Sequence, residues 1–380
     1  MKKILFRKLL ADYMRFFVLA LISTGVVIWV FQAVNFLDIM IEDGRDYLVY
    51  INFSLLNFPK IISKIYPFVL FFSLFYITVK YELKNELIIF WNFGIHKMEV
   101  INFIFKFSII LLLAQIFLTS IIVPKSQDLA RSFLRSSTVN FFDNFIKPRK
   151  FIDTIKGVTI YTDNKDNSGN LKNLYLKKDI GENEFQVTYA KEGEFKQLGD
   201  TPILVLYEGS TITSRNNEVT NFSFSKSDFS LANIETNTTT YKKTQEISSY
   251  KLIKCIKSFY RFNKDEFKLK TKFIENCSVQ NINNILKEFY KRFIIPFYIP
   301  ILCLIPFLLI TSSKENLNYN KIRFTTFLFG LIMVVLSETT IRFISKAATQ
   351  NTVLITFPII LFLIIYLFLN NKFNLQISKK

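Results

Sequence analysis

The chain has 380 residues, half of them hydrophobic, with 43 Phe and a formal charge of +18, and its mean hydropathy is +0.27. A soluble protein of this length rarely carries so much apolar surface, so a purely soluble globular fold is excluded. One histidine and three cysteines leave little for metal or nucleophilic chemistry. The basic excess comes with abundant Lys, Asn, Ile and Phe, as an AT-rich genome gives, and no compact basic motif interleaved with aromatics marks a nucleic-acid site.

In chain order, apolar runs occupy Phe16 to Asn35, Pro59 to Val79 and Ile101 to Val123, then Phe293 to Thr311, Phe324 to Phe343 and Thr352 to Asn370. Each approaches the ~20 residues a helix needs to cross a ~30 Å hydrocarbon core. Backbone polar groups must be paired inside lipid, so these runs are read as helices. The first has the basic flank of a signal peptide, but its length and the even count of spans favour a membrane anchor. Between the first and second spans lie Asp38, Glu42, Asp43, Arg45 and Asp46. Between the second and third, Tyr81 to His96 alternates apolar Leu83, Leu87, Ile88, Phe90 and Trp91 with polar Glu82, Lys84, Asn85 and Glu86, and Gly94 closes it as a helix C-terminal glycine would. A short helix on the inner membrane face results, either a plain surface connector or a dock for a motor subunit.

Beyond the third span, Asp128 to Phe145 reads as a helical lead-in to a polar insert of alternating strands. The strands are Val158 to Tyr161, Leu174 to Leu176, Phe185 to Ala190, Ile203 to Tyr207 and Thr211 to Thr213, ending on Phe222, Phe224 and Phe229. Breaks fall at Asp166 to Asn170, Asp179 to Asn183, Glu208 with Gly209, and Asn216 with Asn217. From Ile247 to Ile256 the period becomes helical, and Ile282 to Phe289 is a second helix running into span 4. Cys255 and Cys277 can pair if the compartment is oxidising, and Cys303 is a small apolar residue inside span 4. The expected fold is therefore an α-helical membrane protein of six transmembrane helices with an inserted all-β, jellyroll-like periplasmic domain. Its parts are spans 1–3 over 1–123 with the cytoplasmic helix near 81–96, the exported domain over 124–291 with its β part at about 150–245, and spans 4–6 with the tail over 292–380.

Basic residues set the orientation. Lys2, Lys3, Arg7, Lys8 and Arg15 precede span 1, Lys80, Lys84 and Lys97 follow span 2, Lys314, Lys321 and Arg323 follow span 4, and Lys372, Lys379 and Lys380 close the tail. The opposite short loops carry only Arg45 and Lys346. Basic loops stay in the cytoplasm, so both termini are cytoplasmic and the insert is periplasmic, in a multi-pass protein of the bacterial inner membrane.

Chemistry is bounded by absences. The single histidine, His96, falls on the cytoplasmic side, and no G-x-x-x-x-G-K-[ST], G-x-S-x-G or H-E-x-x-H occurs. The acidic pairs Glu182/Glu184 and Glu192/Glu194 read as solvated strand and turn residues. Spans lack the buried carboxylates of ion-coupled carriers; Glu338 falls four residues before Arg342, on one helix face, where the two can pair. No catalytic residue, metal ligand or cofactor is indicated, and a transporter of this kind takes its energy from a partner.

These residues resemble a known family. Asn85-Glu86-Leu87 with Phe93-Gly94-Ile95, Val123-Pro124 at the end of span 3, and Glu288 with Arg292 before span 4 are similar to motifs of the lipopolysaccharide export permeases LptF/LptG, over essentially all 380 residues. Phe151-Ile152 through Gly157-Val158, Phe185 to Gly193 and Leu204 to Gly209 look closer to the F-type subunit. His96 stands where the family usually has Ser, and Gln32, Asn35 and Asp38 stand where some members have basic residues.

The resemblance implies a permease subunit of an ABC transporter that extracts lipopolysaccharide from the outer leaflet of the inner membrane and hands it to a periplasmic β-jellyroll bridge. Implied partners are a sibling (LptG-like) permease, a cytoplasmic (LptB-like) ATPase dimer that binds the ATP, a single-span (LptC-like) jellyroll protein, lipopolysaccharide and membrane lipids. Cargo would enter between span 1 of one subunit and span 5 of the other. Glu86 would be the acidic contact to the ATPase, and Gly94 would shape the helix end. Lys60, Lys64, Lys125, Arg131, Arg342 and Lys346 fall near the outer membrane face, either as phosphate contacts or as interfacial snorkelling side chains. An exporter of another amphiphile or of lipoproteins fits the same layout. A receptor or scaffold with a periplasmic ligand-binding domain would need a cytoplasmic output, and a secondary transporter lacks its intramembrane carboxylates and internal repeat.

Overall fold

The computed structural model describes residues 2–41, 47–136, 148–155, 158–166, 169–181, 184–198, 201–215, 218–230, 242–261, 274, 276–311, 315 and 317–378. Expectations resting on Glu42, Asp43, Arg45, Asp46, Phe145, Gly157, Glu182, Asn216, Asn217, Lys314, Lys379 and Lys380 fall outside these residues. Among the described residues, six helical stretches are long and apolar enough to cross a membrane: Lys2–Leu37, Tyr47–Leu83, Lys97–Leu134, Ile282–Thr311, Tyr319–Phe343 and Ala348–Phe373. The chain divides into two units, one of Met1–Phe31, Leu56–Asp128 and Tyr241–Lys380, the other of Gln32–Leu55 and Leu129–Thr240.

The first unit is the helical core. It contains most of α1 (Lys2–Ile41) and α2 (Tyr47–Leu83), then α3 (Glu86–Asn92), α4 (Lys97–Phe117), a π-helical turn at Leu118–Ile122 and the start of α5 (Val123–Ser136). On the return come α6 (Ser249–Arg261), α7 (Ile282–Phe293), α8 (Tyr298–Leu304) between two 3-10 stretches, α9 (Tyr319–Thr339) and α10 (Ala348–Ser378). Span 4 is the most enclosed, with Tyr298, Ile299, Ile301, Leu302, Cys303 and Leu304 wholly buried. They pack in one cluster with Leu9, Tyr13 and Phe17 of α1, Leu70, Phe71 and Leu74 of α2, and Ile101, Ile104 and Leu111 of α4. Gly330 of α9 lies so close to the Phe71 ring that a Cβ there would overlap it, which is why this contact needs a glycine.

Prolines shape the spans and leave a traceable debt. Proline has no N–H, so the carbonyl four residues before it loses its helical partner, and in lipid that carbonyl must find another donor. Four such carbonyls receive a side-chain donor from a neighbouring element. Ser63 O, freed by Pro67, accepts from Gln115 Nε2 at 2.8 Å. Ser120 O, freed by Pro124, accepts from Ser249 Oγ at 2.6 Å. Arg292 O, freed by Pro296, accepts from Thr119 Oγ1 at 2.9 Å. Leu354 O, freed by Pro358, accepts from the Tyr290 hydroxyl at 3.3 Å. The π turn before Pro124 and the two 3-10 stretches flanking α8, which hold Pro296 and Pro306, are the local backbone response to prolines in spans 3 and 4.

Arg292 joins this stitching. It is 2% exposed, and Nε donates to Glu288 Oε1 at 3.1 Å. Nη1 donates to Ile247 O at 2.8 Å and Ser249 Oγ at 3.1 Å, and Nη2 to Gln245 O at 2.9 Å. The E-x-x-x-R spacing is thus a buried clamp that fixes the chain returning from the insert onto the entrance of span 4. The returning helix α6 buries Leu252, Cys255 and Ser258, and Cys255 is joined to Cys277 by a disulfide. The expected pairing of Glu338 with Arg342 is absent. The helix tightens to a 3-10 turn over Thr340–Phe343, advancing ~120° per residue instead of ~100°, so the four-residue spacing no longer stacks the two side chains. The charges acting on Glu338 are Lys291 and Lys64.

The second unit carries the insert. Its six strands, β1 (Ile152–Ile155), β2 (Val158–Lys165), β3 (Leu171–Gly181), β4 (Glu184–Leu198), β5 (Thr201–Arg215) and β6 (Glu218–Ser230), form one antiparallel sheet in sequence order. The all-β expectation holds. The described strands, however, make a meander, without the crossovers a jellyroll needs. Val158, Ile160, Leu174, Leu176, Ala190, Leu204 and Leu206 bury one face, the period-2 pattern of a half-buried sheet. Glu208 and Gly209 do not end a strand: β5 runs through them with its pairing to β4 and β6 in register, and Glu208 absorbs the kink with φ 47°. Phe224 and Phe229 pack against the core, while Phe222 lies beyond it, 68% exposed. In the same unit the tips of α1 and α2 meet through Phe36 edge-on to Phe53 and the Tyr50 hydroxyl on Ala33 O.

Candidate functional site

The segment between α2 and α4 is the most specifically built surface of the helical unit. Its helix is shorter than the sequence pattern suggests, because Tyr81 to Leu83 still belong to α2 and Asn85, at φ 58°, breaks the chain before Glu86. Asn tolerates this left-handed conformation better than most residues. Glu86 then opens α3 in a half-buried position, where a carboxylate suits the helix N-terminus. Leu87 and Phe90 are buried and anchor the helix to the core. Ile88, Ile89 and Phe93 are 45–47% exposed on the other side.

Gly94 ends α3. Its φ is +67°, and nothing lies within 4 Å of where a Cβ would stand, so the requirement is one of backbone alone. Its N–H reaches Trp91 O at 3.0 Å, and Ile95 N–H reaches back to Phe90 O at 3.0 Å. These two bonds are the Schellman pattern, completed by burial of both Ile95 and Phe90. His96 follows as the residue before α4, in extended conformation. Glu99 supplies the reciprocal half of a cap by accepting the His96 N–H at 3.3 Å, so the turn is closed without the usual Ser. Lys97 donates to Ile310 O at 2.9 Å and lies over the Trp91 and Phe373 rings at 5.9 and 5.4 Å.

Two adjacent residues tie the base of this segment to other spans. The Tyr81 hydroxyl donates to Asp12 Oδ2 of α1 at 2.5 Å, and Glu82 Oε2 accepts from the Tyr319 hydroxyl of α9 at 2.8 Å. Sequence reading passed over both pairs. Their only local signal is a tyrosine in an otherwise apolar helix, whose hydroxyl needs a partner when buried.

The basic candidates are not gathered into one cluster. Lys60 and Lys64 lie one turn apart on α2. Lys60 donates to Gln127 Oε1 at 3.3 Å, and Gln127 in turn to Asn57 at 2.9 Å; Lys64 is exposed. Lys125 is exposed on α5 and lines a cleft of about 330 Å³ with Lys242 and Lys251, together with Asp128 and Glu246. Arg342 sits on the closing 3-10 turn of span 5 and Lys346 just after it, both exposed. Arg131 belongs to the other unit, half-buried on α5. Among the described residues no three His, Cys, Asp or Glu side chains gather as a metal site.

Comparison with known proteins gives two findings. The family model described as lipopolysaccharide export system permease LptF/LptG matches residues 7–372. An uncharacterized protein of Rickettsia prowazekii (strain Madrid E) is 22% identical over 207 residues, which are 54% of this chain and 57% of that protein. The chain thus spans little more than half the length of this curated relative.

Proposed function

The chain belongs to the lipopolysaccharide export permease family LptF/LptG, and on that premise we propose that it is the membrane subunit of an exporter that lifts lipopolysaccharide out of the outer leaflet of the inner membrane. As a family member it is a multi-pass inner-membrane permease component and not itself a catalyst. The observation that carries the mechanism is α3. A short helix is clamped by Leu87 and Phe90, presents Glu86, Ile88, Ile89 and Phe93 outward, and is stopped by a glycine that only its backbone angle requires. Apolar side chains displayed on a polar loop suit a groove on another protein. A cytoplasmic ATPase dimer is the partner we assign to it, with Glu86 meeting a basic residue there. ATP would be bound and hydrolysed on that dimer.

In this reading the chain pairs with a sibling permease in the F-type position. It passes lipid to a single-span partner through the β-sheet domain, which stands in the periplasm. The Cys255–Cys277 bond supports export of that part of the chain to an oxidising compartment. Of the basic candidates, Lys125 has the best support as a phosphate contact, since it is exposed in a cleft with Lys251 and with Lys242, the latter held 3.0 Å from Asp128.

The test is co-purification of the tagged protein with its ATPase from native membranes. Glu86→Lys should abolish ATPase recovery while the sibling permease is retained. Undiminished recovery of the ATPase would overturn the assignment and leave the receptor reading in its place.

A further inference from the structure

Helix α6 presents two parallel stripes that the export reading does not use. Its inner face, Leu252, Cys255 and Ser258, is buried against α7, and the disulfide to Cys277 holds it there. Ile253, Ile256 and Tyr260 follow one another at spacings of three and four and so share one flank. Lys254, Lys257 and Arg261 repeat the same spacing one residue on, which puts a basic stripe ~100° around the helix from the apolar one. All three basic residues are exposed, as are Ile253 at 44% and Tyr260 at 46%.

The apolar flank faces a groove of about 190 Å³, to which Ile256 and Tyr260 contribute with Phe289 of α7, Ile344, and Thr352 and Ile355 of α10. Its level is fixed by two contacts. The Tyr260 hydroxyl donates to Lys346 O at 3.4 Å, and Asn351 Nδ2 reaches that hydroxyl at 3.5 Å. Both partners border the turn between spans 5 and 6, where one apolar helix ends and the next begins. The groove therefore continues the lipid-facing side of span 6 at the edge of the hydrocarbon, and the basic stripe lies alongside at headgroup height. An apolar flank beside a row of Lys and Arg is the make-up of a helix lying in a membrane interface, and the row is complementary to anionic headgroups.

We propose that α6 and this groove form a site for one resident anionic glycerophospholipid of the adjoining leaflet, with an acyl chain along Ile256, Tyr260 and Ile355 and the phosphate beside Lys254 and Lys257. The site is independent of the exported cargo. It seats the returning chain on the membrane, as the disulfide ties it to the segment leading into α7.

The experiment places p-benzoylphenylalanine at position 260 of the full chain, in nanodiscs of phosphatidylcholine containing a minority of phosphatidylglycerol. Adducts are read by mass spectrometry after illumination. Phosphatidylglycerol should be captured well beyond its share of the bilayer. The triple change Lys254→Gln, Lys257→Gln and Arg261→Gln should remove that preference, at roughly fivefold per basic side chain. Retention of the Cys255–Cys277 bond in the variant, checked by thiol counting, separates loss of charge from loss of folding. Capture in proportion to bilayer composition, a preference that survives the triple change, no lipid adduct, or cross-linking to a protein chain or to lipopolysaccharide when the complex is used would each overturn the proposal. Failure of the ATPase test above would leave it standing.

Discussion

The proline-freed carbonyls can be tested by a double-mutant cycle on Pro67 and Gln115. Gln115 is 2% exposed, and its amide donates to Ser63 O at 2.8 Å. Gln115→Met keeps the side-chain length and removes the donor, leaving a carbonyl in the helix interior with no partner. A buried unpaired group costs about 1–3 kcal/mol. Polar pairs in membrane proteins couple more weakly, near 0.6 kcal/mol and up to about 1.7, because the unfolded chain in lipid also finds partners. Here the alternative partner is blocked by Pro67, while removal of the buried Gln115 Oε1, which has no partner of its own among the described residues, offsets part of the loss, so about 1 kcal/mol is expected for Gln115→Met. In a Pro67→Ala background the restored N–H can take Ser63 O, and the same change should cost about 0.5 kcal/mol or less. The coupling energy is then about 0.5–1 kcal/mol, and the cavity left by the proline ring cancels because it is present in both arms. The assay is reversible unfolding in mixed micelles of rising SDS fraction, followed by the fluorescence of Trp29 and Trp91 and by protease sensitivity. A coupling energy within about 0.3 kcal/mol of zero, the scatter expected of independent sites, would refute the account of these prolines.

Two further outcomes follow from the same geometry. At position 94 only the backbone angle is demanding, so recovery of the ATPase complex should fall in the order Gly, Asn, Ala, Val, with Gly94→Ala costing about 1–2 kcal/mol of local stability; a Gly94→Ala protein as well behaved as Gly94→Asn would contradict this. Arg292→Lys keeps the charge but cannot reach Glu288, Ser249 and the carbonyls of Gln245 and Ile247 at once. Amide exchange over residues 245–252 should therefore quicken by roughly 30-fold or more, equivalent to about 2 kcal/mol or above, and unchanged protection there would show that the clamp is not what holds the return segment.

What the sequence disclosed, and what it withheld, divides by range. The six spans, the amphipathic start of α6 and the glycine stop after α3 were legible because hydropathy and helix period are written within a few residues. Pro67 announces a freed carbonyl just as locally, but its donor lies 52 residues away, and that of Pro124 lies 129 residues from Ser120. No local pattern names them. The Glu288–Arg292 spacing was visible, while its three other contacts belong to a segment with no motif. Alternation along β2 to β6 fixed which face is buried but not the order of strands, so a meander and a jellyroll read alike. The Glu338–Arg342 pairing failed because spacing speaks for partners only while the helix keeps its period.

The stitching of freed carbonyls also sets an order in time. About 150 residues separate Leu134, where span 3 ends, from Ile282, where span 4 begins, and a ribosome adding roughly 5–20 residues per second takes on the order of ten seconds or longer over them. Until then the first three spans stand in the bilayer without the span that will fill their centre. The bond from Gln115 to Ser63 lies wholly within that first half and can close at once. Ser120 must wait for Ser249, and Thr119 has no Arg292 to meet. The bond at Pro67 is made as soon as spans 2 and 3 are present, while those at Pro124, Pro296 and Pro358 turn completion of the chain into a latch that closes only when the second half arrives.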